Sequence, residues 1–121
     1  MFAGNHSRNL STLGALAVAL LAAGPAPAHP AEARIAAVAE RAIDSHRLTA
    51  LPRACRSLAV EPSGRGRWEV EVRERHGGTC GGDPATAPRL FAIRIVERGS
   101  ARTLYSDAQT LDGTFERLGR R

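Results

Sequence analysis

Residues 67–75 read RWEVEVRER. Trp68, Val70 and Val72 alternate with Glu69, Glu71 and Arg73, a period of two that predicts a β-strand with one wet face. Residues 89–98, RLFAIRIVER, repeat the pattern: Phe91, Ile93 and Ile95 share one face, and Leu90, Ala92, Arg94 and Val96 take the other. Gly99-Ser100 then marks a turn, and Thr103–Tyr105 returns as a short strand. Upstream, Ser57–Glu61 is a further short strand, closed by the turn Pro62-Ser63-Gly64.

A different period precedes these strands. Over residues 31–51, Ile35, Val38, Ala39, Ala42 and Ile43 recur at helical spacing among charged residues. Pro30 suits the start of that helix and Pro52 its stop. A helix with one apolar stripe must pack on something. The expected fold is α+β: one N-terminal helix on an antiparallel sheet of three or four strands. Trp68, Val70, Val72, Phe91, Ile93 and Ile95 would face Ile35, Val38 and Ala42. Glu69, Glu71, Arg73 and Arg94 would look outward and pair across strands. Phe115 and Leu118 would close the core edge.

The first 28 residues read differently again. Arg8 lies in a weakly basic head, Leu10–Ala23 is apolar, and Gly24-Pro25-Ala26-Pro27-Ala28 ends the stretch with small residues two apart. This is the pattern of a cleaved secretory leader. Cleavage after Ala28 leaves one small domain, residues 29–121, with no second apolar segment and no membrane span in the mature form. The expected location is periplasmic or secreted.

All 17 basic residues are arginine, and the formal net charge is +5. The arginines are spread along the chain and interleaved with glutamate. Aromatics are few, and there is no basic stripe with aromatics between, so nucleic acid is not the expected partner.

Two cysteines in an exported domain predict one disulfide, Cys55–Cys80, enclosing residues 56–79. The alternative is a thiol enzyme, hydrolytic or otherwise, with Cys80 as nucleophile and His76 as its base. A metal reading would draw on His76, Cys80 and Asp83, but these lack a recognised zinc spacing. No metal or cofactor is expected.

Cys80 sits in a conspicuous loop, His76-Gly77-Gly78-Thr79-Cys80-Gly81-Gly82-Asp83-Pro84-Ala85-Thr86-Ala87-Pro88. Asp83 before Pro84 starts a turn, because its side chain holds nearby backbone N–H groups. Arg89 should open the next strand beside it. A phosphate loop is excluded: no helix follows, and the chain has no lysine. Two readings of the loop remain. It is a hairpin connection pinned by Cys80, or a rigid recognition loop built from His76, Gly77, Gly78, Gly81, Gly82, Asp83 and Arg89.

The run HGGTCGGDPATAPRLF, the Ile-rich strand, Gly99 and the late Asp112-Gly113-x-Phe115-x-x-Leu118 together resemble small bacterial periplasmic proteins and lipoproteins. Those proteins carry a CGGDPxTAPR signature after a strand. The resemblance covers residues 67–118, and the chain lacks the lipobox cysteine of the lipoprotein members. It implies an envelope location and a helix-on-sheet layer pair similar to cystatin-like folds. It transfers no chemistry. The expected function is a non-enzymatic inhibitor, immunity-type or envelope accessory domain whose partner is another protein of the envelope.

Overall fold

The computed structural model describes residues 30–119. The leader expected over residues 1–28 lies outside them. Helix α1 spans Pro30–His46, and five strands follow: β1 Arg56–Gly64, β2 Arg67–Glu74, β3 Arg89–Arg98, β4 Ala101–Ser106 and β5 Glu116–Arg117. The sheet is an antiparallel meander in which each strand pairs with the next in sequence. The fold is α+β, a helix packed on one face of a sheet. It has one more strand than expected, because two residues of the tail pair with Tyr105 and Ser106.

The period-two reading holds at the centre. Val70, Val72, Phe91, Ile93 and Ile95 are buried against Ile35, Val38, Ala39, Ala42 and Ile43. Each fully buried Ile or Val contributes about 1.5–3 kcal/mol relative to exposure. Trp68 sits at the end of its row and is only half-buried. On the outer face Arg94 meets Glu69 at 3.2 Å across β2 and β3, as the alternation implied, whereas Arg73 pairs with Glu71 along its own strand. Such exposed pairs add little. Phe115 departs from expectation: it lies under the Arg94 guanidinium, 3.6 Å from it, on the outer face. Leu118 does pack on the core.

The helix stops five residues before the expected end at Leu51. Arg47 takes a left-handed φ of 50°. The Leu48 N–H then reaches back to the Ile43 carbonyl at 3.0 Å, and the Arg47 N–H to Asp44 at 3.4 Å. This is a Schellman closure with arginine where glycine is usual, which is why no stop was visible before Pro52. Arg47 is exposed and makes no ion pair among the described residues. Replacing Arg47 with glycine should therefore raise stability by about 0.5–1 kcal/mol, the left-handed strain relieved less the added freedom of the unfolded chain. Thermal melts of the two proteins would check it.

The first hairpin also turns later than the sequence suggested. β1 continues through Pro62, Ser63 and Gly64 with a bulge between Pro62 and Gly64, and the chain reverses at Arg65-Gly66. Proline is tolerated there because β1 is an edge strand. Gly66 is required by contact and conformation. Its φ is +67°, and a Cβ would stand 2.5 Å from the Glu97 carbonyl oxygen. Its own carbonyl accepts the Glu97 N–H at 2.7 Å, tying this turn to the end of β3.

Candidate functional site

The glycine-rich loop links β2 to β3 and is closed at its base by backbone. The Glu74 N–H donates to Pro88 and the Arg75 N–H to Cys55, both at 2.8 Å. Cys55 is bonded to Cys80 with their Cα atoms 5.4 Å apart. The bond ties the short turn Arg53–Cys55, between α1 and β1, to a single helical turn Gly78–Cys80 in the loop. Both cysteines are engaged, so Cys80 has no thiol to serve as a nucleophile.

His76 is held inside the loop. Its Nδ1 lies 3.1 Å from the Asp83 carbonyl oxygen and 2.8 Å from the Thr86 hydroxyl. Its Nε2 lies 3.3 Å from a Glu74 carboxylate oxygen. Gly82 passes over the ring so closely that a Cβ would sit 2.6 Å from His76 Cγ. With φ at +74°, only glycine fits. Gly77 donates to the Gly81 carbonyl at 2.7 Å, and Cys80 to the Gly77 carbonyl at 3.1 Å, closing the tip on itself.

Asp83 orders the loop as the sequence implied. Its Oδ1 accepts the Ala85 N–H at 2.9 Å, and its carbonyl accepts the Thr86 N–H at 3.0 Å. Arg89 does not join it. The guanidinium donates instead to Asp107 Oδ2 at 2.7 Å, across the sheet at the end of β4. The structure thus brings His76, Gly82 and Asp83 together with the disulfide, and places Arg89 elsewhere. Among the described residues no group of three or more His, Cys, Asp or Glu side chains is arranged to hold a metal ion.

Two buried polar centres were not anticipated. Asp107 has a side chain only 5% exposed. Its Oδ1 accepts the Ala92 N–H at 2.7 Å, replacing the strand partner that β4 fails to supply at that point. Its other oxygen, Oδ2, accepts from Arg89, and that hydrogen bond chiefly raises the Arg89 pKa. Asp107→Ala should strand the buried Ala92 N–H and cost about 1–3 kcal/mol, read from denaturant melts. Asp107→Asn, which keeps an acceptor, should cost less.

The second centre is Arg56, whose side chain is 2% exposed at the start of β1. It donates to Glu40 Oε2 at 2.6 Å, Asp44 Oδ1 at 2.8 Å and the Leu51 carbonyl at 2.8 Å. Burial works to lower the Arg56 pKa, but hydrogen bonds to Glu40 and Asp44 outweigh it and leave it raised. The Arg56 and Arg53 hydrogen bonds hold the Asp44 carboxyl below its ordinary range. At the other end of the helix, Arg34 does the same to Glu97 through paired contacts of 2.8 and 2.9 Å. In an Arg-rich chain nothing in the local sequence distinguishes Arg56 or Asp107 from a surface charge.

These shifts fix the sign of the acid response. A carboxyl whose folded pKa is depressed contributes stability that is complete above its unfolded pKa and is lost as pH falls through the folded value. Free Asp and Glu titrate near about 4. The melting temperature should therefore hold above about pH 5 and fall steadily below about pH 4, a trend that a pH series of thermal melts would record.

No helix among the described residues is long and apolar enough to cross a membrane. No protein-family model, curated protein or solved structure matches this chain.

Proposed function

We propose that the chain is a non-enzymatic binding domain of an oxidising, exported compartment, acting as an inhibitor, an immunity-type protein or an envelope accessory factor. One observation carries the reading: the residues that would do chemistry are engaged with one another. Cys80 is in a disulfide, and His76 is packed beneath Gly82 between Asp83, Thr86 and Glu74. A rigid scaffold with its polar groups satisfied suits recognition better than turnover. The Cys80–His76 thiol enzyme, the alternative from sequence, has no nucleophile in this arrangement.

The disulfide is compatible with the leader read at residues 1–28, since such bonds persist outside the reducing cytoplasm. The CGGDPxTAPR resemblance favours the periplasm over release to the medium, and a helix packed on an antiparallel sheet is compatible with the cystatin-like arrangement that the resemblance implies. Material recovered from the envelope of the producing cell should begin at His29 by mass spectrometry and show no free thiol. Tagged protein beginning at His29 should retain a protein partner from that envelope. An intact Met1, or two titratable thiols in the folded protein, would overturn the reading.

A further inference from the structure

The helix covers one face of the sheet, and the opposite face holds a hollow of about 580 Å³ centred on β3. Arg67 of β2, Arg94, Val96 and Arg98 of β3, and Tyr105 of β4 fall on that outer face by strand alternation. Phe115 joins them under the Arg94 guanidinium. A smaller hollow of about 300 Å³ over Thr103 shares Val96, Arg98 and Tyr105 with it. Small-ligand pockets are of this size, about 300–1,000 Å³.

The lining divides into an apolar part and a cationic part. Val96 and the half-buried Tyr105 and Phe115 supply apolar surface. Glu69 is the one carboxylate of the lining, and Arg94 holds it at 3.2 Å. Arg67 and Arg98 are exposed and form no ion pair among the described residues. The rest of the chain has no carboxylate side chain to give them, since all 12 Asp and Glu lie within residues 30–119. Register makes the two arginines neighbours: Arg67 stands opposite Val96, and Arg98 is two residues further along β3. Such diagonal positions lie about 7–8 Å apart, so two long side chains can meet on one group. Two guanidiniums held there repel each other, and an anion between them turns that repulsion into attraction. Each offers a planar fork of donors that matches phosphate oxygens.

We propose that this hollow binds a small phosphate monoester carrying a flat apolar substituent. The phosphate, with a charge of about −1.5 to −2 at neutral pH, balances Arg67 and Arg98 together. The substituent lies on Val96 beside Tyr105 and Phe115. Charge count selects the monoester over a carboxylate, which would leave one guanidinium unmatched. The concave form of the site selects a free small molecule over a membrane surface. The inference goes beyond the protein-partner reading and stands or falls apart from it.

The test is a calorimetric and NMR titration of the folded, disulfide-bonded protein with 2-naphthyl phosphate. Binding should saturate, weaken with salt, and shift the amide resonances of residues 67, 96 and 103–105 while leaving those of helix α1 in place. Inorganic phosphate, which lacks the apolar body, and 2-naphthol, which lacks the anion, should each bind about tenfold more weakly or worse. The R67Q/R98Q protein should lose about tenfold or more in affinity, and R98Q alone about threefold, as charge-assisted hydrogen bonds are removed. Neither should melt lower, because both residues are exposed and unpaired. R41Q/R75Q removes the same net charge from exposed arginines elsewhere and should bind like the parent. Equal weakening by R41Q/R75Q, equal binding of naphthol, or shifts centred on the helix would overturn the proposal. Sedimentation with phosphatidic-acid vesicles in the absence of saturable naphthyl phosphate binding would also overturn it, and would make this face a lipid contact.

Discussion

The protein with both Cys55 and Cys80 changed to serine should lose about 3.5 kcal/mol of stability, because the bond closes a loop with a sequence separation of 25 in the unfolded chain. Small domains typically hold only about 5–15 kcal/mol in total. The melting temperature should fall by roughly 15–25 °C, the scale for a domain of this size. The loss should be reproduced by reductant on the parent protein and should not add to the serine substitutions. Parent melts that are indifferent to reductant would mean that the bond constrains nothing in the unfolded state. Such a result would leave the loop dependent on Gly82 packing over His76 for its shape.

Phe91→Ala should be the costliest single truncation, at about 3–5 kcal/mol. Phe91 is 3% exposed, pairs with Val72 across β2–β3, and belongs to the cluster facing the helix. Its removal leaves a cavity that flanking Val72 and Ile93, each fully buried, cannot fill without moving the sheet. Trp68→Ala provides the contrast. The ring is larger but half-buried at the end of its row, so the loss should be about 2 kcal/mol. Denaturant midpoints for the two variants would rank them. The reverse order would mean that the Trp68 ring, and not the β2–β3 centre, anchors the layer.

What could be read in advance was what depends on period. Trp68–Val72 and Phe91–Ile95 announced two strands with one wet face, and Ile35–Ile43 announced a helix with one stripe, because burial on one side imposes that spacing. The Cys55–Cys80 bond followed from parity and compartment, and the Asp83 turn from the chemistry of Asp before Pro. What stayed hidden depends on tertiary contact. Arg47 ends the helix in a conformation that glycine usually marks. Gly66, not Gly64, makes the hairpin turn, because only there does Glu97 press against the backbone. Arg89 chooses Asp107, eighteen residues away, over Asp83 close by.

The meander has a kinetic consequence. Every strand pairs with its immediate neighbour in sequence, so no ladder waits for a distant segment. Chains whose contacts are local fold faster than those that must close long loops first. Among the described residues the helix emerges before any strand. β2 can zip onto β1 as soon as Gly66 has passed, and each new strand finds its template already standing. The Cys55–Cys80 link is the covalent tie that reaches back over a completed hairpin. Oxidation can therefore follow β-sheet growth as a locking step, and a reduced chain should still reach the native topology, though it would hold it less firmly.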